Sequence, residues 1–265
     1  MIFFPLKREK KTEKKVVNVD NNKINTLRYL NRPLIMKEKY ESLIPLNLFT
    51  CWHTKDLPQL MRENYEKIKD NHPNFNHYLY DESECENFIK DNFEIDVLNA
   101  YKSLIPSSYK SDLWRYCILY INGGIYFDIK FGCVNNFNFI ALTENEYFVR
   151  DREPWGGTLT GLIAVKPKNE ILFNCIQQIV ENVKTQFYGR DSLDPTGPGL
   201  LGKYFTKEDK KEMKLYFANI NIKNIIDDWI IVFNDISILK QYNGYRSEQS
   251  KKHYGDLWRE RKIYL

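Results

Sequence analysis

The sequence predicts an α/β layered domain, on three observations. Strand-like and helix-like patterns alternate through the first two-thirds of the chain. Hydrophobic residues make up 43% of its 265 positions, enough for a large buried core. That length suits one sizeable α/β domain or two small ones. In such a fold a ligand sits at the carboxyl ends of the strands.

The elements follow in order. Residues 1–40 are polar and lack sustained periodicity, so they read as an extension that wraps the domain spanning 41–265. The run Ile44 to Trp52 has the type and length of a buried strand. A helix is expected from Pro58 to Asn71, ending before His72-Pro73. Phe75 to Tyr80 alternates as a strand. Asp81-Glu82-Ser83-Glu84 places acids at the favoured start of a helix whose apolar face holds Cys85, Phe88 and Ile89. After Pro106 a strong helix covers about 109–121, stopped by Gly123-Gly124. Ile125-Tyr126-Phe127 is a short strand. Beyond it lie a strand near 158–165, a helix near 169–187, a Gly/Pro turn at 195–199 and β-rich segments from 214 to 239. There is no internal repeat and no long linker.

Composition narrows the function classes. Net charge is only +4, and the excess gathers in the first 15 residues, so no broad basic stripe points to nucleic acid. The basic start reads as a solvated terminus. The five cysteines are odd in number and form no Cys-x-x-Cys pair, which suggests neither a disulfide framework nor a zinc site. Free thiols in a reducing, cytoplasmic setting are the simplest expectation. No apolar run approaches the roughly 20 residues of a membrane helix, and Met1 to Leu6 is too short for a signal sequence. The 18 Tyr and 16 Phe fit ligand stacking, but the abundance of Lys, Asn, Ile, Tyr and Phe is also what an AT-rich genome produces. The second reading is the default.

Two pieces carry chemistry. Asp112 and Arg115 stand three apart on one helix face. They make either a surface ion pair or a grip on hydroxyls and phosphate, for which the guanidinium fork is suited. In Gly123-Gly124-Ile125-Tyr126-Phe127-Asp128 two glycines permit a tight turn, and a short strand delivers a carboxylate to its end. That carboxylate either opens a turn or holds a hard divalent cation. Asp227-Asp228 invites a metal reading, but a turn between the apolar runs Ile225-Ile226 and Trp229-Ile230-Ile231 is the better one. No Gly-x-x-x-x-Gly-Lys-[Ser/Thr] run supports a triphosphate loop.

Taken together, Ser111-Asp112-Leu113-Trp114-Arg115-Tyr116, Leu119-Tyr120 and Gly123-Gly124-Ile125-Tyr126-Phe127-Asp128 resemble the Asp-x-Asp glycosyltransferases of family 32, the initiating α-1,6-mannosyltransferase type. They are distantly similar to the catalytic domain of clostridial glucosylating toxins. Ile44-Pro45, Trp52-His53-Thr54-Lys55 and Thr196-Gly197-Pro198 extend the resemblance over roughly 44–200. It implies a GT-A fold, a Rossmann-like mixed sheet flanked by helices. It implies a retaining transfer of a hexose from a UDP- or GDP-linked donor to a hydroxyl of a glycan, lipid or protein. The bias in composition suggests a viral or microbial source.

The resemblance also implies residue roles. Trp52 stacks on the base, the alternative being a core Trp at a strand end. Asp112 binds ribose or sugar hydroxyls, and Arg115 supports sugar or diphosphate. Gly124, Tyr126, Thr196 and Gly197 complete the donor site. Asp128 is the metal-binding acid for Mn²⁺ or Mg²⁺. From the late segment, His253 is a further metal ligand or simply exposed, and Trp258 covers the donor. One departure stands out: Asp128-Ile129-Lys130 has a cation where the family has its second acid. Three readings stay open: metal held by Asp128 with other ligands, Lys130 itself on the diphosphate, or a degenerate site. The last makes a non-catalytic carbohydrate- or nucleotide-binding module the alternative function.

Overall fold

The computed structural model describes residues 31–152, 156–222 and 226–265. Most of the expected N-terminal extension, including its basic cluster, lies outside the described residues. Its last part, 31–40, has no regular structure. There Leu34, Met36 and Tyr40 pack on the core, and the Leu34 amide donates to the Asn135 carbonyl at 2.8 Å.

Nine strands among the described residues form one sheet, in the order β2-β1-β3-β6-β5-β7-β8-β9-β4. They are β1 (Asn47–Cys51), β2 (Asn76–Tyr80), β3 (Gly124–Phe127), β4 (Phe131–Cys133), β5 (Tyr147–Arg150), β6 (Thr158–Val165), β7 (Leu215–Ile222), β8 (Ile226–Phe233) and β9 (Ile236–Gln241). The helices are α1 (Gln59–Asn71), α2 (Glu82–Asn92), α3 (Ile95–Ser103), α4 (Ser107–Asn122), α5 (Glu170–Lys184), α6 (Pro198–Leu201), α7 (Lys207–Glu212) and α8 (Tyr254–Arg259). The α/β class read from the sequence is therefore what the chain adopts.

The first three strands are parallel, with β1 between β2 and β3. The chain leaves β1 toward one neighbour and later returns on its other side. That places a switch point, the usual ligand crevice, at the ends of Cys51 and Phe127. From β6 onward the sheet is mostly antiparallel. One core cluster packs α3, α4 and α5 on the sheet, with Trp114, Tyr116, Ile118, Ile163 and Ile176 buried. The second holds Phe127, Phe131, Phe139, Leu142 and Leu162.

Local sequence explains the segments that shape the site. The β1 strand starts at Asn47 rather than Ile44, because Pro45 has no N–H for a ladder and its carbonyl instead takes the Asn47 amide. A capping box of Asp81 and Glu84 opens α2. Gly123 ends α4 at φ 60°, and Gly124 follows at φ 117°. Side chains there would also collide: a Cβ on Gly124 would stand 2.8 Å from the Asn47 carbonyl oxygen. The glycine pair thus turns the chain and lets β3 lie flush against β1.

Two expectations need correction. Asp227 and Asp228 are not in a turn; they lie within β8, opposite Asn221 and Ile220 of β7, and Asp228 pairs with Lys240 at 2.9 Å. The 195–199 turn runs on into α6, with Pro198 at its first position.

Candidate active site

Asp112 and Arg115 face inward from α4, with relative exposures of 6% and 5%, so the surface ion-pair reading is excluded. Asp112 Oδ1 accepts from the Thr160 hydroxyl at 3.2 Å, and its Oδ2 accepts from the Thr196 hydroxyl at 2.8 Å. Arg115 Nη2 is 3.4 Å from Asp112 Oδ1. Arg115 Nη1 donates to both the carbonyl and the hydroxyl of Thr160, at 2.8 and 2.9 Å, and Nη2 donates to the Ser111 hydroxyl at 2.8 Å. Its guanidinium lies 4.3 Å over the Tyr126 ring. One buried network thereby ties α4 to β6 and to the 193–197 turn. Burial pushes the Asp112 carboxyl above its ordinary range, against the pull of Arg115 and Thr196.

Asp128 follows β3 directly, and its amide donates to the Gly161 carbonyl at 2.8 Å. Its Oδ1 accepts from the Tyr126 hydroxyl at 2.9 Å and lies 3.4 Å from Arg115 Nη1. Its Oδ2 accepts from Lys130 Nζ at 2.7 Å. Gly161 makes room for it, since a Cβ there would stand 2.6 Å from Oδ2. Burial acts to raise this carboxyl, but Lys130 and Arg115 outweigh it and hold it at about 2. Both Asp128 and Lys130 keep part of their surface open, with side-chain exposures of 19% and 23%. Arg115 is thus shared by two carboxylates, and residues 112, 115 and 128 form one connected site.

The remaining expected residues fall as follows. Gly197 sits beside the network, where a Cβ would be 3.1 Å from Asp112 Oδ2. Trp52 is partly buried against Leu57, Met61, Ile129 and Tyr245, and its indole N–H is buried without a hydrogen-bond partner. Trp258 donates its indole N–H at 2.7 Å to the carbonyl of Tyr188, in the loop after α5, and packs near Arg261. His253 is exposed and caps α8, its Nδ1 accepting from the Gly255 amide at 3.1 Å.

Of the two expected metal ligands, His253 has its Nδ1 engaged in the α8 cap. Among the described residues no group of three or more His, Cys, Asp or Glu is placed to hold a metal ion. Both Asp128 oxygens already accept from protein donors. A divalent ion bound to Oδ2 would also lie beside the Lys130 ammonium. At 4 Å and an effective dielectric of 20, unit charges repel by about 4 kcal/mol, and a double charge by roughly twice that. As arranged, these side chains do not fit a divalent cation.

Four residues escaped the sequence reading. Thr160 carries Arg115 and Asp112 together; a visible signal was the polar Thr158 and Thr160 in an otherwise apolar strand. Ser111 stands in the quoted motif without a role, yet it holds Arg115. Its hydroxyl is also 3.0 Å from Cys51 Sγ. Burial acts against the Lys130 ammonium, and Asp128 outweighs it, with Tyr245 and Tyr254 as further neighbours acting in the same direction. Tyr245 opens a 3-10 turn after β9 and Tyr254 opens α8, and no local pattern announces their approach.

Fold and site define an α/β protein with a charged, hydroxyl-rich cradle at its strand switch point, suited to anionic and polyhydroxyl ligands. The comparisons with known proteins make the class specific. Residues 58–148, about a third of the chain, match the family described as the glycosyltransferase sugar-binding region containing a DXD motif. The resemblance drawn from the sequence is borne out at that level. The chain is 27% identical over 149 residues to inositol phosphoceramide mannosyltransferase 2 of Schizosaccharomyces pombe, covering 55% of this chain and 41% of that protein. It is 30% identical over 91 residues to the initiation-specific alpha-1,6-mannosyltransferase of Candida albicans, covering 32% and 24%. The matched part therefore spans less than half the length of either relative. Among solved structures, the PaToxG glycosyltransferase aligns over 69% of this chain and 73% of that one, with a TM-score of 0.49 and 18% identity.

Proposed function

We propose that the protein is a GT-A glycosyltransferase that moves a hexose from a nucleotide-diphosphate sugar to a hydroxyl of a glycan, lipid or protein. The observation that carries this reading is the sharing of Arg115 between Asp112 and Asp128 within the DXD-type sugar-binding region. Asp112 takes sugar or ribose hydroxyls. Arg115 and the charged pair at Asp128 face the diphosphate, where fixed charge is most effective because it needs no reorganisation. The donor is a UDP- or GDP-hexose, with mannose favoured by the names of the relatives. Residues 41–265 form the catalytic unit, and Trp52 stacks on the base. Transfer is retaining, by front-face attack of the acceptor oxygen.

The Mn²⁺ or Mg²⁺ common to Asp-x-Asp transferases would hold the diphosphate and draw off its charge. For this chain the side chains at 128 and 130 weigh against that use. Five free cysteines support a reducing, cytoplasmic setting. Among the described residues no helix is long and apolar enough to cross a membrane.

Screening the protein against a panel of UDP- and GDP-hexoses for sugar release tests the reading. Turnover of at least one donor is the expected result. The Asp128–Lys130 pair, which neutralises the motif's acid, favours a second reading as a carbohydrate- or nucleotide-binding module. Calorimetric binding of UDP or GDP with no turnover across the panel would select that reading.

A further inference from the structure

The departure at position 130 has a definite electrostatic content. Asp112, Arg115, Asp128 and Lys130 are linked by direct contacts, and within that group of four the formal charges cancel; Asp151 is a further carboxylate that senses Lys130. An acid at 130 would leave that site two negative charges in excess, the amount one divalent ion balances. With lysine the balance is reached by the chain itself.

Lys130 is also held in place. Its Nζ lies 2.7 Å from Asp128 Oδ2 and 5.1 Å from the centre of the Phe131 ring. Its carbonyl accepts from the Tyr242 amide at 3.0 Å, which pins the backbone of the turn between β3 and β4. The ammonium has three donors, and the bond to Asp128 uses one. With 23% of the side chain exposed, the other two are open to a ligand.

We infer that the Lys130 ammonium performs in this chain the task of the divalent cation at an Asp-x-Asp site: it holds the departing diphosphate, and donor turnover requires no metal. This rests on the sugar-transfer reading. In the step concerned, the bond between the anomeric carbon and the diphosphate oxygen breaks, and its electron pair leaves on that oxygen beside Lys130. The acceptor oxygen bonds to the anomeric carbon, and its proton passes to the released diphosphate. Asp128 acts as a positioning residue for the ammonium, and Arg115 carries the second positive charge.

The test uses the full chain. The wild type, dialysed against EDTA, should turn over its donor within twofold of its rate with added Mn²⁺. Loss of turnover in EDTA with recovery on Mn²⁺ would overturn the inference and leave the transferase reading intact. Lys130→Met should lower turnover about 100-fold, the scale of losing one electrostatic donor. It should also weaken UDP or GDP binding in EDTA at least tenfold, while Lys130→Arg keeps most of both. Lys130→Asp, which restores two acids, should become at least tenfold more active with Mn²⁺ than without. If no donor is turned over at all, the calorimetric arm decides: binding in EDTA unchanged by Lys130→Met would overturn the clamp, and its loss would sustain it. Circular dichroism of each variant separates these outcomes from misfolding.

Discussion

The Asp112–Arg115 network and the Asp128–Lys130 pair sit side by side and share a guanidinium, yet they differ in kind. The first is almost wholly buried and is bonded to Thr160, Thr196 and Ser111. The second is partly open, and its ammonium retains free donors. Their carboxyls are driven in opposite directions: burial raises Asp112, whereas Lys130 and Arg115 hold Asp128 at about 2. The contrast teaches that a charged motif can divide its labour. The buried half, besides its proposed donor contacts, joins α4 to β6 and to the turn before α6, while the open half presents its ammonium to a ligand.

The largest effect that tests this division is on stability. Arg115→Ala should cost about 3–5 kcal/mol in denaturant unfolding, because it leaves Asp112 buried without its cation. A loss below 1 kcal/mol would mean the network is not structural. The acid side of the stability curve sharpens the other half. The folded pKa of Asp128 is depressed, so its contribution is present above the unfolded value and is lost as pH falls toward 2. Between pH 5 and pH 2 the wild type should lose roughly 2 kcal/mol more than Asp128→Asn. Asp112, raised instead, works in the opposite sense and is common to both proteins. A smaller effect is expected from Thr196→Val, which removes one hydrogen bond to a buried carboxylate and should cost about 1–2 kcal/mol.

Much of this arrangement was legible in the sequence where local chemistry and tertiary structure agree. The strong helix before Gly123-Gly124, the short strand after it and the buried strand over 158–165 appear at nearly the expected bounds. The α3 helix escaped, since Glu94 precedes it without a side-chain cap and no Gly or Pro separates it from α2. The Asp227-Asp228 turn failed because adjacent acids look like a turn unless the pairing partner is known; Lys240, on another strand, supplies it. The inward direction of Asp112 and Arg115 depended on Thr160 and Thr196, 48 and 84 positions away from Asp112. No spacing rule within α4 carries that information. His253 and Trp258 have local tasks that the sequence does not announce, a helix cap and a bond to the Tyr188 carbonyl.

The role given to the carboxylate after β3 is best judged by one kinetic comparison. Sugar release from the best UDP- or GDP-hexose should be measured for the wild type and for Asp128→Ala, with thermal unfolding of each recorded in parallel. Removing the group that fixes Lys130 should lower turnover by about 100-fold or more while a cooperative unfolding transition persists. Undiminished turnover by the folded variant would contradict the account.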